Sequence, residues 1–328
     1  MSENIRTLCE RFIANRDALQ KTAVLESSYM YCAAATALTA SGITADANEL
    51  KECRKILSKS ISGLSYLRFS SELPVLAALY ASDDPASAAE RISKTYEILK
   101  TQFDSTEYLA LLAIMLYDLV SETEAERIAE RSKTLYKMMK KQHPILTSSS
   151  DTLLVGFMSF SEKSDEELVN DCEECYKLLK KTFPNHEDAD QSCAQILSMT
   201  TSSPEVKTER FIELFKAFKE SGRKYSKGYE LAILAALSIS DASISEIVET
   251  VLEIDSELAA KKGYTGIFGT DKSTRIIHAA MLATIIFGER TNLNVGIPAV
   301  SLVMMMAHLI AEIVMLTVIA ANNSATTS

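Results

Sequence analysis

Cys172 and Cys175 form a Cys-x-x-Cys pair, the spacing used both for zinc ligation and for dithiol redox chemistry. Either chemistry needs more than the pair: a zinc site takes two further Cys or His ligands, and a redox dithiol needs an electropositive, partly exposed thiolate. Here the pair lies in ELVNDCEECYKLLKKTF, where Leu168, Cys172, Cys175, Tyr176, Leu179 and Phe183 share one helical face. That is the spacing of a core stripe, so both cysteines are expected to be small buried residues. Residues 266–273, GIFGTDKS, approach a phosphate-binding loop. Asp271, however, stands where a glycine should let backbone amides reach the phosphate, and its carboxylate would repel the anion. The segment before the loop, ISEIVETVLEIDSELAAKKG, is helical in pattern rather than a strand. A loop ending in a Thr270 or Asp271 helix cap is expected instead.

The four histidines, His143, His186, His278 and His308, include no pair at i, i+4 spacing, so the zinc-protease pattern is absent. His186 lies in PNHEDAD, where Glu187, Asp188 and Asp190 offer oxygen ligands without the ordered spacing of a calcium loop. A solvated acidic loop is the plainer reading. His143 precedes Pro144 at the end of a helical pattern, where it suits terminal carbonyls better than the role of a base, because no Ser or Cys sits in a nucleophile elbow. No catalytic residue, resident metal or cofactor is expected from these motifs.

The elements that would position these residues follow a two-part pattern. A short apolar segment is followed by a longer charged one with helical spacing, and then by a Ser/Asp-rich break. The apolar parts read LPVLAALY from Leu73, YLALLAIMLY from Tyr108, TLLVGFMSF from Thr152, QSCAQILSM from Gln191, YELAILAALSI from Tyr229 and RIIHAAMLATIIF from Arg275. Their starts are 35 to 46 residues apart, the range of two-helix repeat units in which no unit buries its face alone. The tetratricopeptide consensus is absent and the period is irregular. In the charged parts, Ile92, Tyr96, Leu99 and Phe103, and again Ile247, Val251, Ile254 and Leu258, form single apolar stripes. The apolar parts have no polar face and should be covered on nearly every side. The fold class expected is all-α: an irregular, two-layered array of antiparallel helical hairpins, α-solenoid-like. It would comprise N-terminal helices over 1–66, the array over 67–290, and an apolar C-terminal helix with a short polar tail over 291–328.

The breaks before the apolar helices carry an aromatic or His and then Ser, Thr or Asp, as in Phe69-Ser70-Ser71, Phe103-Asp104-Ser105, residues 143–151 and Tyr225-Ser226. Such residues are helix N-caps first. A hairpin stack also brings equivalent loops to one edge, which makes His143, Ser148, Asp151, His186 and Asp188 candidates for a ligand-binding rim. The runs RFSSELPVLAALYASDDP, YEILKTQFDSTEYLALLAIML, LYKMMKKQHPILTSSSDTLL and KAFKESGRKYSKGYELAILAAL resemble bacterial helical proteins grouped as domain of unknown function 4003 over about residues 65–290. The resemblance implies a soluble, all-helical bacterial protein and lends no activity.

Composition narrows the partners. The 328 residues are 47% apolar with 10 Gly, 6 Pro and no Trp, which suits a helical protein with a substantial core. A net charge of −10 without a basic cluster argues against nucleic acid. The start, MSENIRTLCERF, lacks the basic-then-apolar layout of a secretory signal, so a cytoplasmic location is expected. Residues 297–321, IPAVSLVMMMAHLIAEIVMLTVIAA, are long enough to cross a bilayer. Yet Ser301, Met305, His308 and Glu312 make one polar stripe, and a mid-membrane Glu costs at least about 2.5 kcal/mol. A buried or oligomer-forming helix, with Met305, His308 and Glu312 as contacts, is favoured over a membrane anchor. The leading expectation is a non-catalytic binding or scaffold protein for a protein or peptide partner. An enzyme or small-molecule binder using the loop rim, and a membrane-associated protein, are the alternatives. Replacing Cys172 and Cys175 together by Ala should lower the melting temperature modestly without altering metal content; stoichiometric zinc lost in the double variant would show a chemical role instead.

Overall fold

The computed structural model describes residues 2–23, 28–223, 225–228, 230–266 and 269–295. Tyr229, Met305, His308, Glu312 and the whole apolar segment 297–321 lie outside them. Among the described residues the regular structure is helical, with short 3-10 turns and isolated β-bridges, so the chain is all-α. It divides into two compact units, one of residues 14–159 and one of residues 2–13 with 160–295. The division falls inside the region read as the hairpin array, and it also splits the first helix, α1 (Ser2–Thr22).

In the N-terminal unit, α2 (Ser28–Ala40), α3 (Ala47–Ser60) and the short α4 (Tyr66–Phe69) precede the first apolar helix, α5 (Glu72–Ala81). Charged α6 (Pro85–Lys100), apolar α7 (Glu107–Leu116), charged α8 (Glu122–Gln142) and apolar α9 (Thr152–Met158) follow. Neighbours α5, α7 and α9 pack in one row, and α3, α6 and α8 in another. The C-terminal unit repeats this arrangement. Charged α10 (Asp165–Thr182), α12 (Pro204–Glu220) and α14 (Ile244–Ala259) form one row, and α11 (Glu187–Ser198), α13 (Leu231–Ser238) and α15 (Lys272–Phe287) the other. Burial explains the two helix types. All residues of α7 from Tyr108 to Leu116 are buried, whereas α6 and α14 bury single stripes that include Ile92, Tyr96 and Leu99, and Ile247, Val251, Ile254 and Leu258. α11 and α15 begin several residues before their apolar runs, at Glu187 and Lys272.

The side-chain caps fall largely on the charged helices. Asp84, Ser121, Ser164, Ser203 and Ser243 each accept amide hydrogens of the first turn, with Pro85 and Pro204 preset at its start. Among the apolar helices, α7 is capped by Thr106 rather than by Asp104 or Ser105, and Ser71 at the start of α5 makes no side-chain cap bond.

The other ends of the apolar helices carry unpaired carbonyls into a crowded corner. Cations reach the corners that follow α7, α9, α11 and α13. Arg91 of α6 donates to the Tyr117 carbonyl at 2.7 Å, and Arg131 of α8 to that of Ser159 at 3.0 Å. Arg210 of α12 serves three carbonyls, Ser238 at 2.7 Å, Ser240 at 3.0 Å and Ala242. In α10 the register position of Arg91 and Arg210 is taken by Asp171. Two lysines restore the positive charge: Lys163 Nζ donates to Ser198 O at 2.7 Å and Thr200 O at 2.6 Å, while Lys163 and the buried Lys207 both pair with Asp171.

After α15 the chain runs extended along these corners of the C-terminal unit. Thr291 pairs with Ser240, Leu293 with Thr200 and Val295 with Ser161 as antiparallel bridges. The amides of Asn292 and Asn294 donate to Ile239 O at 2.8 Å and Met199 O at 3.0 Å, and Arg290 pairs with Asp241 and Glu246 at the start of the run. The strap therefore ties three successive corners through main-chain bonds.

Two outcomes are expected. Leu111→Asp, which puts a carboxylate at a fully covered position, should leave the protein unfolded, because lost burial of about 2 to 3 kcal/mol adds to the desolvation of a charge. Arg210→Met should keep the volume but leave three carbonyls without their donor, lowering unfolding free energy by about 2 to 3 kcal/mol in urea titrations; an unchanged midpoint would remove the clamp from the account.

Candidate functional site

The loops that lead into the apolar helices hold the residues singled out by sequence. In the N-terminal unit, the His143 amide donates to Met139 O at 2.8 Å and ends α8, while the His143 carbonyl accepts from Thr147 N at 3.1 Å. Ser148 then caps the 3-10 turn Ser149–Asp151, and Asp151 Oδ2 accepts the Ser148 amide at 2.8 Å. His143, Ser148 and Asp151 thus share one loop. Ser148 is exposed, Asp151 is buried, and Ser148 and Asp151 bond to each other as a capping box.

His186 and Asp188 belong to the other unit. There, Phe183 ends α10, Asn185 turns the chain with φ 69°, and His186 begins α11 without a side-chain cap bond. A left-handed Asn at a tight turn is a conformation this side chain tolerates. Asp188 points to solvent, and Glu187 lies 3.6 Å from Lys180.

A set of residues that the motifs did not single out stands at the same loops. Glu72, Glu107, Asp151, Asp190 and Glu230 each precede the closing Ser82, Tyr117, Ser161, Thr200 or Ser240 by ten residues. The signal was present as an acid at a fixed distance from the corner, hidden by the irregular length of everything else. An acid in the first turn favours the positive end of the helix. Most of the set have a visible partner. Glu72 takes Arg54 in a bidentate pair at 2.9 Å and 2.9 Å, Asp151 takes its capping-box amide, and Glu230 accepts from Ser226 Oγ at 2.9 Å.

Asp190 differs. It is 1% exposed, and neither carboxyl oxygen has a hydrogen-bond partner among the described residues. Burial, reinforced by Glu187 and partly opposed by Lys180, raises its pKa to about 7. A carboxyl shifted this far exchanges its proton near neutral pH.

The remaining motifs resolve structurally. All six cysteines are buried and outside any disulfide, with Cys172 and Cys175 on the expected stripe, and burial pushes the Cys175 thiol well up, away from the reactive thiolate. Asp271 caps α15 through the amides of Ser273 and Thr274. His278 lies buried with Nδ1 2.7 Å from Tyr264 Oη. Among the described residues no group of His, Cys, Asp and Glu is arranged to hold a metal ion, and no helix is long and apolar enough to cross a membrane. Asp151→Ala should remove the capping box and lower stability by about 1 kcal/mol in chemical denaturation; an unaltered midpoint would free Asp151 from its capping role.

Comparison with known proteins adds one finding. No curated protein and no solved structure matches the chain. Residues 16–319 match the family described as "Protein of unknown function (DUF4003)", well beyond the stretch whose motifs suggested it, and the chain belongs to that family.

Proposed function

We propose that this protein is a non-catalytic, α-solenoid-like binding or scaffold protein that engages a protein or peptide partner. The reading rests on one observation: Leu64, Phe69 and Ile145 are large apolar side chains left 93%, 75% and 97% exposed. Leu64 and Ile145 lie on the loops ahead of α4 and α9, and Phe69 is the last residue of α4, just before α5. α4, which ends at Phe69, and the 3-10 turn that follows Ile145 both pack on α7, so the loops flank one helix of the N-terminal unit. Aromatic and aliphatic side chains held out on loops of a rigid helical frame are the anchors that protein interfaces bury. A helical-hairpin array presents such loops along an extended edge, and an apolar partner surface also accords with the chain's negative charge.

The test is a triple surface variant, Leu64→Ser, Phe69→Ser and Ile145→Ser. Exposed substitutions of this kind shift stability by about 0.5 kcal/mol or less each, so the melting temperature should barely move. Native mass spectrometry of the full-length chain purified from its source should find a stoichiometric protein or peptide with the wild type and none with the variant. A wild-type chain that carries only a small molecule, or a partner retained by the variant, would refute the assignment.

A further inference from the structure

We propose that Asp190 is a proton-binding site, and that release of its proton loosens the first turn of α11 from α10. The inference rests on geometry before charge. At the same register, Asp151 and Glu230 are held by hydrogen bonds from the turn just before their helix, whereas the Pro184-Asn185-His186 turn gives Asp190 none. The side chain is only 1% exposed. In its neutral form it forgoes a hydrogen bond; as a carboxylate it would be a buried charge without one, which is far more costly.

The groups that face it do not repair this. On α10, Tyr176 and Lys180 are its neighbours, and the Lys180 ammonium sits 5.7 Å over the Tyr176 ring and 3.6 Å from Glu187. On α11, Glu187 adds repulsion and the Cys193 thiol, one turn on, is fully buried. Beyond Cys193, on the side of α13, come the buried Tyr225 and then Glu230, which Ser226 already holds. Among the described residues Lys180 is the one cation that acts on Asp190, and it forms no ion pair with it; we take movement of the first turn of α11 to be what brings the two together. The element that must move is suited to moving, because α11 starts without a side-chain cap and follows a left-handed Asn185.

The sign follows from linkage. The folded hairpin holds the proton more tightly than the unfolded chain does. Its contribution to stability is therefore complete below the ordinary carboxylate range, is lost progressively as pH rises to about 7, and is constant above that.

Hydrogen exchange of the full-length chain between pH 5 and pH 8, corrected for intrinsic amide rates, reads the effect in peptides covering residues 184–198. In the wild type the opening equilibrium should rise by up to about tenfold per pH unit as neutrality is approached and then level off. Asp190→Asn should flatten that profile, and His186→Gln should leave it as in the wild type. A flat wild-type profile, or the same rise in Asp190→Asn, would overturn the proposal. An infrared arm needs no variant: the wild type should show a carboxylic acid carbonyl band at pH 6 that is lost by pH 9. Absence of that band at pH 6 would overturn it equally.

Discussion

An apolar helix covered on every side has no water to take the carbonyls of its last turn. Left alone, each buried carbonyl would cost about 1 to 3 kcal/mol, and each apolar helix brings several. The corner cations answer this constraint, and much else in the molecule follows from it. A guanidinium or ammonium must come from a neighbouring charged helix or from the turn that leads into one, at the height of the carbonyls it serves. Arg91 and Arg210 occupy the same position relative to their N-caps. Where α10 places Asp171 there, Lys163 and Lys207 converge on it and keep the corner positive. The substitution is tolerated because the sum of charges at the corner is what the carbonyls require, rather than any one residue.

The same corners explain the extended run after α15. Corners that end in Ser-Phe-Ser, Ser-Met-Thr and Ser-Ile-Ser hold main-chain groups at nearly equal steps, and a strand offers donors and acceptors at every second residue. Main-chain bonds from Asn292 and Asn294 bind the corners together irrespective of the side chains on the strap, most of which stay half-exposed. Cation and strap are thus two solutions to one demand, the first from within a hairpin and the second across hairpins.

The opposite ends of the apolar helices have the reverse polarity, and there the register acid recurs. A carboxylate near amide hydrogens is favourable when a hydrogen bond or cation holds it, as at Glu72, Asp151 and Glu230. At Asp190, buried and without a hydrogen-bond partner among the described residues, burial raises the pKa to about 7. The same register position holds a partnered carboxyl in three repeats and, among the described residues, an unpartnered one in a fourth.

Sequence alone determined the helix types and their order, because a charged helix with one apolar stripe and an apolar helix with none are distinguishable by periodicity. It placed Cys172 and Cys175 in the core and Asp271 at a cap for the same reason, since helical spacing and capping are local. It foresaw that Ser148 would cap a turn. What it did not reveal were Asp190 and the corner cations. Asp190 read as one of several acids in a solvated loop, and no motif marked Arg210. Their meaning depends on which carbonyl or which apolar wall lies opposite, at separations of about 30 residues in the chain. Desolvation and long-range hydrogen bonding are properties of the packed state, so only the tertiary structure could decide which of the acids is buried without a partner among the described residues and which of the cations holds a corner.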